Sequence, residues 1–157
     1  ESFRFVLPGY NLRPLELSGA VGSKQVRKLP GFMHIRRENA ARFRELMRAF
    51  PQLRIQKEIG DSSWFGFSMV IQDGAGFSRK QLVESLARHG VECRPIVTGN
   101  FAKNEVVKLF DHSIHGELNV ASDIDRNGLF VGNHHYPLEG EIESLGDAIG
   151  SIGTRWV

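Results

Sequence analysis

The order of helical and strand-forming segments constrains the fold of this chain most strongly. Residues 32–50 repeat apolar side chains near helical spacing with Arg and Glu between them, which predicts a long amphipathic helix. Residues 53–59 then alternate as a strand does, and residues 64–71 form an aromatic and β-branched run typical of a buried strand. The Gly-Asp-Ser-Ser segment that joins the two strands has the composition of a turn.

The second half of the chain continues the mixed pattern. Ser78 followed three residues later by Gln81 is a capping-box signature, and Gly90 is a typical signal for the end of that helix. Further strands are predicted at 91–96 and 129–131, a loop at 97–104, and helices at 105–110, 119–127 and 138–149. We therefore predict an α+β fold in which helices cover a small, mainly antiparallel sheet.

Before these elements lies a separate block that ends near Leu29-Pro30-Gly31. Residues 14–29 are rich in Gly, Ala and Ser and predict a helix whose small side chains allow another backbone or subunit to approach closely. A helix of this composition is marginal in water unless something covers its apolar side.

Composition excludes several classes of partner and site. The 157 residues carry a net charge of +2 with both signs mixed, so no nucleic-acid-binding stripe is expected. The basic cluster near Arg36 and Arg37 could still contact phosphates, and the alternative is a solvated helix face. No apolar run is long enough for a membrane span, and a signal-peptide pattern is not seen, so we expect a cytoplasmic protein. The single Cys93 is interpreted as a buried, small apolar residue.

The histidines do not predict a metal site, because their spacing provides no set of three ligands with cysteine or carboxylate partners. His112 and His115 lie three residues apart without a third ligand. The other histidines are His34, His89, His134 and His135. Trp64, Phe65 and Phe67 are assigned to the core.

Residues 8–14 combine features that suit an anion. Gly9 permits unusual backbone conformations, and Pro14 favours the first turn of a helix, whose N-terminus carries a partial positive charge. Asn11 and Arg13 add hydrogen-bond donors that match a phosphate. The alternative is an ordinary capped helix start with a surface arginine.

Residues 9–39, GYNLRPLELSGAVGSKQVRKLPGFMHIRREN, resemble the DegT/DnrJ/EryC1/StrS family of sugar aminotransferases and dehydratases. Members carry a GYN-x-R start, a small-residue helix, a Q-x-x-KL run and an R-x-x-N helix in that order. The segments SWFGF, CRPIVTGNF and GLFVGNH resemble the branch that removes the 3-hydroxyl of a GDP-linked 4-keto-6-deoxymannose in colitose biosynthesis. The resemblance runs from about residue 5 to about residue 149 and corresponds to the C-terminal part of such an enzyme.

The resemblance implies a vitamin-B6-dependent enzyme of fold type I that works as a homodimer, with each active site between subunits. Residues 1–29 would be a remnant of the large domain with the GYNLR motif and an interface helix, and residues 30–157 the small C-terminal α+β domain. Asn11 would reach the cofactor phosphate of the neighbouring subunit, with Arg13 as its companion. Pyridoxal or pyridoxamine phosphate, glutamate and a nucleotide sugar would be the parent enzyme's cofactor and substrates.

No catalytic residue is assigned to this chain, because the resemblance places the catalytic His or Lys upstream of it. We therefore expect the 157 residues alone to be inactive and to bind no cofactor stably.

Arg94, Asn100, Phe101 and His134 are the predicted substrate-binding residues. An Arg and an Asn can hydrogen-bond the diphosphate and hydroxyls of a GDP-sugar, and Phe101 could offer a face to guanine or sugar. The alternatives are that Arg94 pairs with Glu92 or Asp111 on the surface, that Asn100 forms a turn and that Phe101 fills the core. Two other functions stay open: a sugar aminotransferase, and a non-catalytic dimerisation or binding module.

Overall fold

The computed structural model describes residues 6–9 and 14–152. Its helices are α1 (Glu16–Val26), α2 (Leu29–Met47), α3 (Arg79–Arg88), α4 (Asn119–Asn127) and α5 (Glu139–Gly150). Its strands are β1 (Leu53–Ile55), β2 (Gly66–Ile71), β3 (Cys93–Arg94) and β4 (Gly128–Gly132). Two short 3-10 helices, Phe101–Lys103 and Glu105–Leu109, lie between β3 and α4. In the part of the chain described, no helix has the length and apolar character needed to cross a bilayer.

The four strands form one sheet in the order β1-β2-β4-β3, and every neighbouring pair is antiparallel. Side chains alternate across it, so Phe67, Met69 and Ile71 of β2 face the core, where the Phe67 ring stacks on Phe43 of α2 at 4.3 Å. Buried residues of α2, α3 and α5 complete this core. The predicted α+β fold with an antiparallel sheet is confirmed.

Helix α4 lies against the opposite face of the sheet. Asp123 of α4 pairs with Arg54 of β1 at 3.1 Å, and β4 begins at Gly128, directly after α4 ends at Asn127. Further along this face, Arg94 of β3 and Phe130 of β4 are cross-strand partners. The half of the face that carries these two residues borders the cleft described below.

Two strands end earlier than the sequence predicts, each for a local reason. After Ile55 the Gln56 side chain, rather than a strand carbonyl, accepts the hydrogen bond from the Ser68 amide at 3.2 Å. Pro95 follows β3 and has no amide hydrogen to continue the ladder. Helix α2 instead begins three residues earlier than predicted, because Pro30 is accommodated in its first turn.

Two buried asparagines join α2 to the end of β4. The side-chain Nδ2 of Asn39 donates to Asn133 Oδ1 at 3.2 Å and to the carbonyls of His134 and Tyr136 at 3.2 and 2.9 Å. The side-chain Oδ1 of Asn39 accepts from the backbone amide of Leu138 at 3.1 Å. Asn133 Nδ2 donates to the carbonyls of Arg36 and Trp64 at 3.1 and 2.9 Å. We call Asn39 and Asn133 the amide pair. It connects three segments that are distant in the sequence.

Helix α1 has no buried residue. Leu17, Val21 and Val26 are all more than half exposed, as is Leu15 just before the helix. In the part of the chain described, the hydrogen bonds of α1 lie within the helix: its backbone bonds and the bond from Ser23 Oγ to the Gly19 carbonyl at 2.9 Å. An 11-residue helix held in this way is weak in isolation.

We expect the amides of residues 14–28 to exchange rapidly with solvent in a chain shown to be monomeric, because nothing buries α1. Helix α5 is the matched control, since it has 12 residues and buries Ile142, Leu145, Ala148 and Ile149. Hydrogen exchange read by mass spectrometry measures both helices. Protection of residues 14–28 as strong as that of α5 would contradict the expectation.

Asn39→Ala should lower the free energy of unfolding by at least about 2 kcal/mol, because it leaves the buried Leu138 amide and several carbonyls unpaired. Asn119→Ala is the control: Asn119 is exposed and its side chain donates to nearby Glu117, so its replacement should change stability by less than about 0.5 kcal/mol. Urea denaturation measures both variants. A urea midpoint of Asn39→Ala equal to that of the original chain would show that the amide pair does not stabilise the fold.

Candidate functional site

A cleft of about 800 Å³ opens at the end of the sheet where β4 ends and β3 begins. One wall is the first half of α5, and the other is formed by residues 89–92, the end of β4 and the start of β2. Charged and aromatic side chains meet in it: Arg36, Phe65, His89, Glu92, Arg94, Phe130, His134, Tyr136 and Glu141. Such a lining suits a ligand with a planar ring and an anionic group.

Arg36 and Phe65 form the rim of the cleft. Arg36 Nη2 donates to the Phe65 carbonyl at 2.7 Å, and its guanidinium carbon lies 6.0 Å from the centre of the Phe65 ring. The Phe65 ring is 80% exposed and lies 6.1 Å from the ring of Phe130. The sequence-based assignment of Phe65 to the core is wrong. Arg36, for which the sequence left open a phosphate contact or a solvated helix face, lines the cleft.

The physical reason lies in the backbone of Trp64, which has a φ of +49°. That conformation is rare for a bulky residue, and it turns the chain so that Trp64 is buried while Phe65 points outward. The Trp64 amide donates to Ser62 Oγ at 3.0 Å, its carbonyl accepts from Asn133, and its indole donates to Glu58 Oε1 at 3.1 Å. Trp64 and Phe67 are buried as predicted.

Gly66 allows β2 to begin directly beside Phe130. A Cβ at this position would lie 2.8 Å from both the Phe130 ring and the Val131 carbonyl oxygen. Any larger residue would therefore push Phe130 or β4 out of place.

Arg94 lines the cleft and pairs with Glu92. Its Nε and Nη2 donate to the same oxygen, Glu92 Oε1, at 3.2 and 2.9 Å, and its side chain is 56% exposed. The predicted alternative, a surface pair with Glu92, thus occurs within the cleft itself. An exposed pair of this kind is weak and leaves the guanidinium accessible to an anionic ligand.

His134 also lines the cleft, where its ring stacks on Tyr136 at a centroid distance of 5.0 Å. The carbonyl oxygens of both residues accept bonds from Asn39, so the amide pair fixes the segment that carries the two rings. His134 therefore has the accessibility that a substrate contact needs.

Asn100 and Phe101 do not line the cleft. Asn100 is 5% exposed; its Oδ1 accepts from the Ala102 amide at 3.2 Å and its Nδ2 donates to Ser122 Oγ at 3.0 Å. The side chain thus has the turn-forming role that the sequence left open. Phe101 is 47% exposed, so it does not fill the core. Asn11 and Arg13 lie outside the described residues.

The loop that holds Asn100 is closely fitted against α4. Asn104 Nδ2 donates to Thr98 Oγ1 at 2.8 Å, and Lys103 pairs with Asp125 at 2.9 Å. Gly99 has a φ of +60° and lies so near Asp125 that a Cβ would approach its Cα to 2.7 Å. The segment is therefore a defined turn, although its sequence predicts only a loop.

Cys93 is half-buried and packs against the core. Burial raises the pKa of its thiol, Glu92 raises that pKa further, and Arg79 lowers it. The thiol is therefore protonated near neutral pH and is a poor nucleophile. Among the described residues, no group of three His, Cys, Asp or Glu side chains is arranged to hold a metal ion.

Comparisons with known proteins give a consistent result. The sequence profile of the DegT/DnrJ/EryC1/StrS aminotransferase family matches residues 1–149. The chain is 54% identical over 150 residues to GDP-4-keto-6-deoxy-D-mannose 3-dehydratase of Escherichia coli O55:H7, covering 95% of this chain and 39% of the relative.

Two solved structures of GDP-4-keto-6-deoxymannose-3-dehydratase are also similar. One is an H188N mutant with bound GDP-perosamine (TM-score 0.83), and the other contains a trapped PLP-glutamate geminal diamine (TM-score 0.84). Both are 54% identical to this chain, and each match covers 95% of it and 39% of the other protein. The chain thus spans about two fifths of the length of these relatives. Because the family profile matches nearly its whole length, this chain belongs to the DegT/DnrJ/EryC1/StrS aminotransferase family.

Proposed function

We propose that this chain is the C-terminal, substrate-binding part of a vitamin-B6-dependent nucleotide-sugar 3-dehydratase that acts on GDP-4-keto-6-deoxymannose. The observation that carries the proposal is the 54% identity over 95% of the chain to a dehydratase with that substrate. The cleft supports it, because Arg36 and Arg94 provide positive charge and Phe65 an aromatic ring, as a nucleotide diphosphate requires.

The residues of the cleft would bind and orient the sugar nucleotide. Arg94 would bind the diphosphate, and His134 would hydrogen-bond a sugar hydroxyl. Asn100 stays a predicted contact to the diphosphate or hydroxyls of the GDP-sugar, and Phe101 a predicted face for guanine or sugar, although the Asn100 side chain also bonds within the structure.

Pyridoxal or pyridoxamine phosphate would be held mainly by parts of the enzyme outside this cleft. The described lining of the cleft contains arginines and histidines but no lysine. The aldehyde of pyridoxal phosphate needs a lysine amine to form a Schiff base, so the cleft fits an anionic sugar nucleotide better than the cofactor. Asn11 would donate to the cofactor phosphate across the subunit boundary, with Arg13 beside it. The bound cofactor would supply the electron sink for loss of the sugar 3-hydroxyl.

The two predicted domain parts fit this proposal. Residues 30–157 would form the small domain, and residues 1–29 would belong to the large domain and the interface of a homodimer. The exposed apolar side chains of α1, including Leu17 and Val21, support a covering partner.

The upstream reading frame tests the proposal against its alternatives. A His at the position of the cofactor-binding lysine would support the dehydratase, whereas a Lys there would favour a sugar aminotransferase. The absence of an upstream half would favour a dimerisation or binding module.

The 157-residue chain alone should show no dehydration or transamination of a GDP-4-keto sugar, because the resemblance places the catalytic residue upstream. It should also form no specific Schiff base with pyridoxal phosphate, since no described lysine lines the cleft. Product analysis and absorbance spectra measure the two activities. Schiff-base absorbance that disappeared on replacing one lysine would contradict this prediction.

In a complete enzyme that carries this chain, Asn11→Ala should weaken cofactor retention about tenfold or more, because it removes one charge-assisted hydrogen bond. Arg94→Ala should instead weaken binding of the GDP-sugar and leave the cofactor in place. Arg88→Ala, an exposed arginine outside the cleft, is the control and should change neither. Calorimetry with each ligand separates the effects, and cofactor loss in Arg94→Ala with unchanged sugar affinity would contradict both assignments.

A further inference from the structure

We propose that Phe65 is the residue on which the base of the nucleotide ligand stacks. The inference rests on the proposed function and adds the place of the base within the same cleft. Three observations support the inference: the exposure of Phe65, the hydrogen bonds that fix its backbone and the guanidinium groups near its ring.

Phe65 is exposed because hydrogen bonds fix the backbone on both sides of its Cα. Its carbonyl accepts from Arg36 at 2.7 Å, and the preceding residue, Trp64, is fixed through its amide, carbonyl and indole nitrogen. The positive φ of Trp64 is a strained conformation, and such strain is found more often where a side chain has a functional role. The protein therefore presents to solvent, beside the cleft, an aromatic ring whose backbone is fixed by hydrogen bonds.

The surroundings of this ring favour a nucleotide over an apolar protein surface. Arg36 lies over the ring, and its Nε is buried without a hydrogen-bond partner among the described residues. Phe130 connects the ring to Arg94, its cross-strand partner on the same face of the sheet. A base on Phe65 would thus leave the attached diphosphate on the side of Arg94, whose exposed pair with Glu92 is weak enough to open to an anion.

The experiment uses the 157-residue chain and three probes: GDP, guanosine and pyrophosphate. Phe65→Leu should weaken GDP and guanosine binding about tenfold or more, because base stacking on an aromatic ring is lost, and should leave pyrophosphate binding unchanged. Phe65→Tyr should retain the affinity of the original chain. Phe110→Leu is the matched control, since Phe110 is also exposed but lies outside the cleft.

Saturation-transfer NMR provides a second measurement that a general loss of folding would not imitate. Transfer to the guanine H8 proton should be strong with the original chain and should fall in Phe65→Leu, while circular dichroism shows that the variant is folded. Arg94→Ala should weaken binding of both GDP and pyrophosphate.

Unchanged GDP affinity in Phe65→Leu, or no GDP binding by the original chain at millimolar concentration, would overturn the inference. The proposed function would survive either result if a complete enzyme carrying this chain dehydrated the GDP-sugar. Conversely, dTDP binding that exceeded GDP binding and still depended on Phe65 would support the stacking residue and contradict the proposed GDP-sugar substrate.

Discussion

The hydrogen bonds of the buried amide pair hold the other parts of the structure in position. Asn39 lies on α2 and Asn133 directly follows β4, and both are almost fully buried. Together they bond to backbone groups of α2, of the turn before β2 and of residues 134–138. Since buried amides are costly to leave unpaired, these segments have essentially one arrangement that satisfies them all.

The same bonds build the cleft. Asn133 holds the Trp64 carbonyl, and the turn at Trp64 directs Phe65 outward. Asn39 donates to the carbonyls of His134 and Tyr136, which also line the cleft. The stability of the domain and the geometry of its site therefore depend on one network.

The sequence by itself determined the features that depend on local contacts. The capping box of Ser78 and Gln81 sets the start of α3, and both of its hydrogen bonds are present. Helix α4 has the predicted bounds, and the antiparallel α+β fold and the family were also recognised from the sequence. Capping and periodicity act over a few residues, so the sequence displays them directly. The motif resemblance adds the identity of the family, which periodicity alone does not contain.

Only the tertiary structure decided which side chains meet at the cleft. An aromatic run predicts burial, yet Phe65 is exposed because long-range bonds from Arg36 and Asn133 fix the turn around Trp64. Asn100 lies in a loop whose sequence suggests ligand binding, but its side chain donates to Ser122, 22 residues further along the chain. Hydrogen bonds between distant segments leave no periodic signal in the sequence. The exposure of Phe65 and the burial of Asn100 therefore became apparent only when the chain was folded.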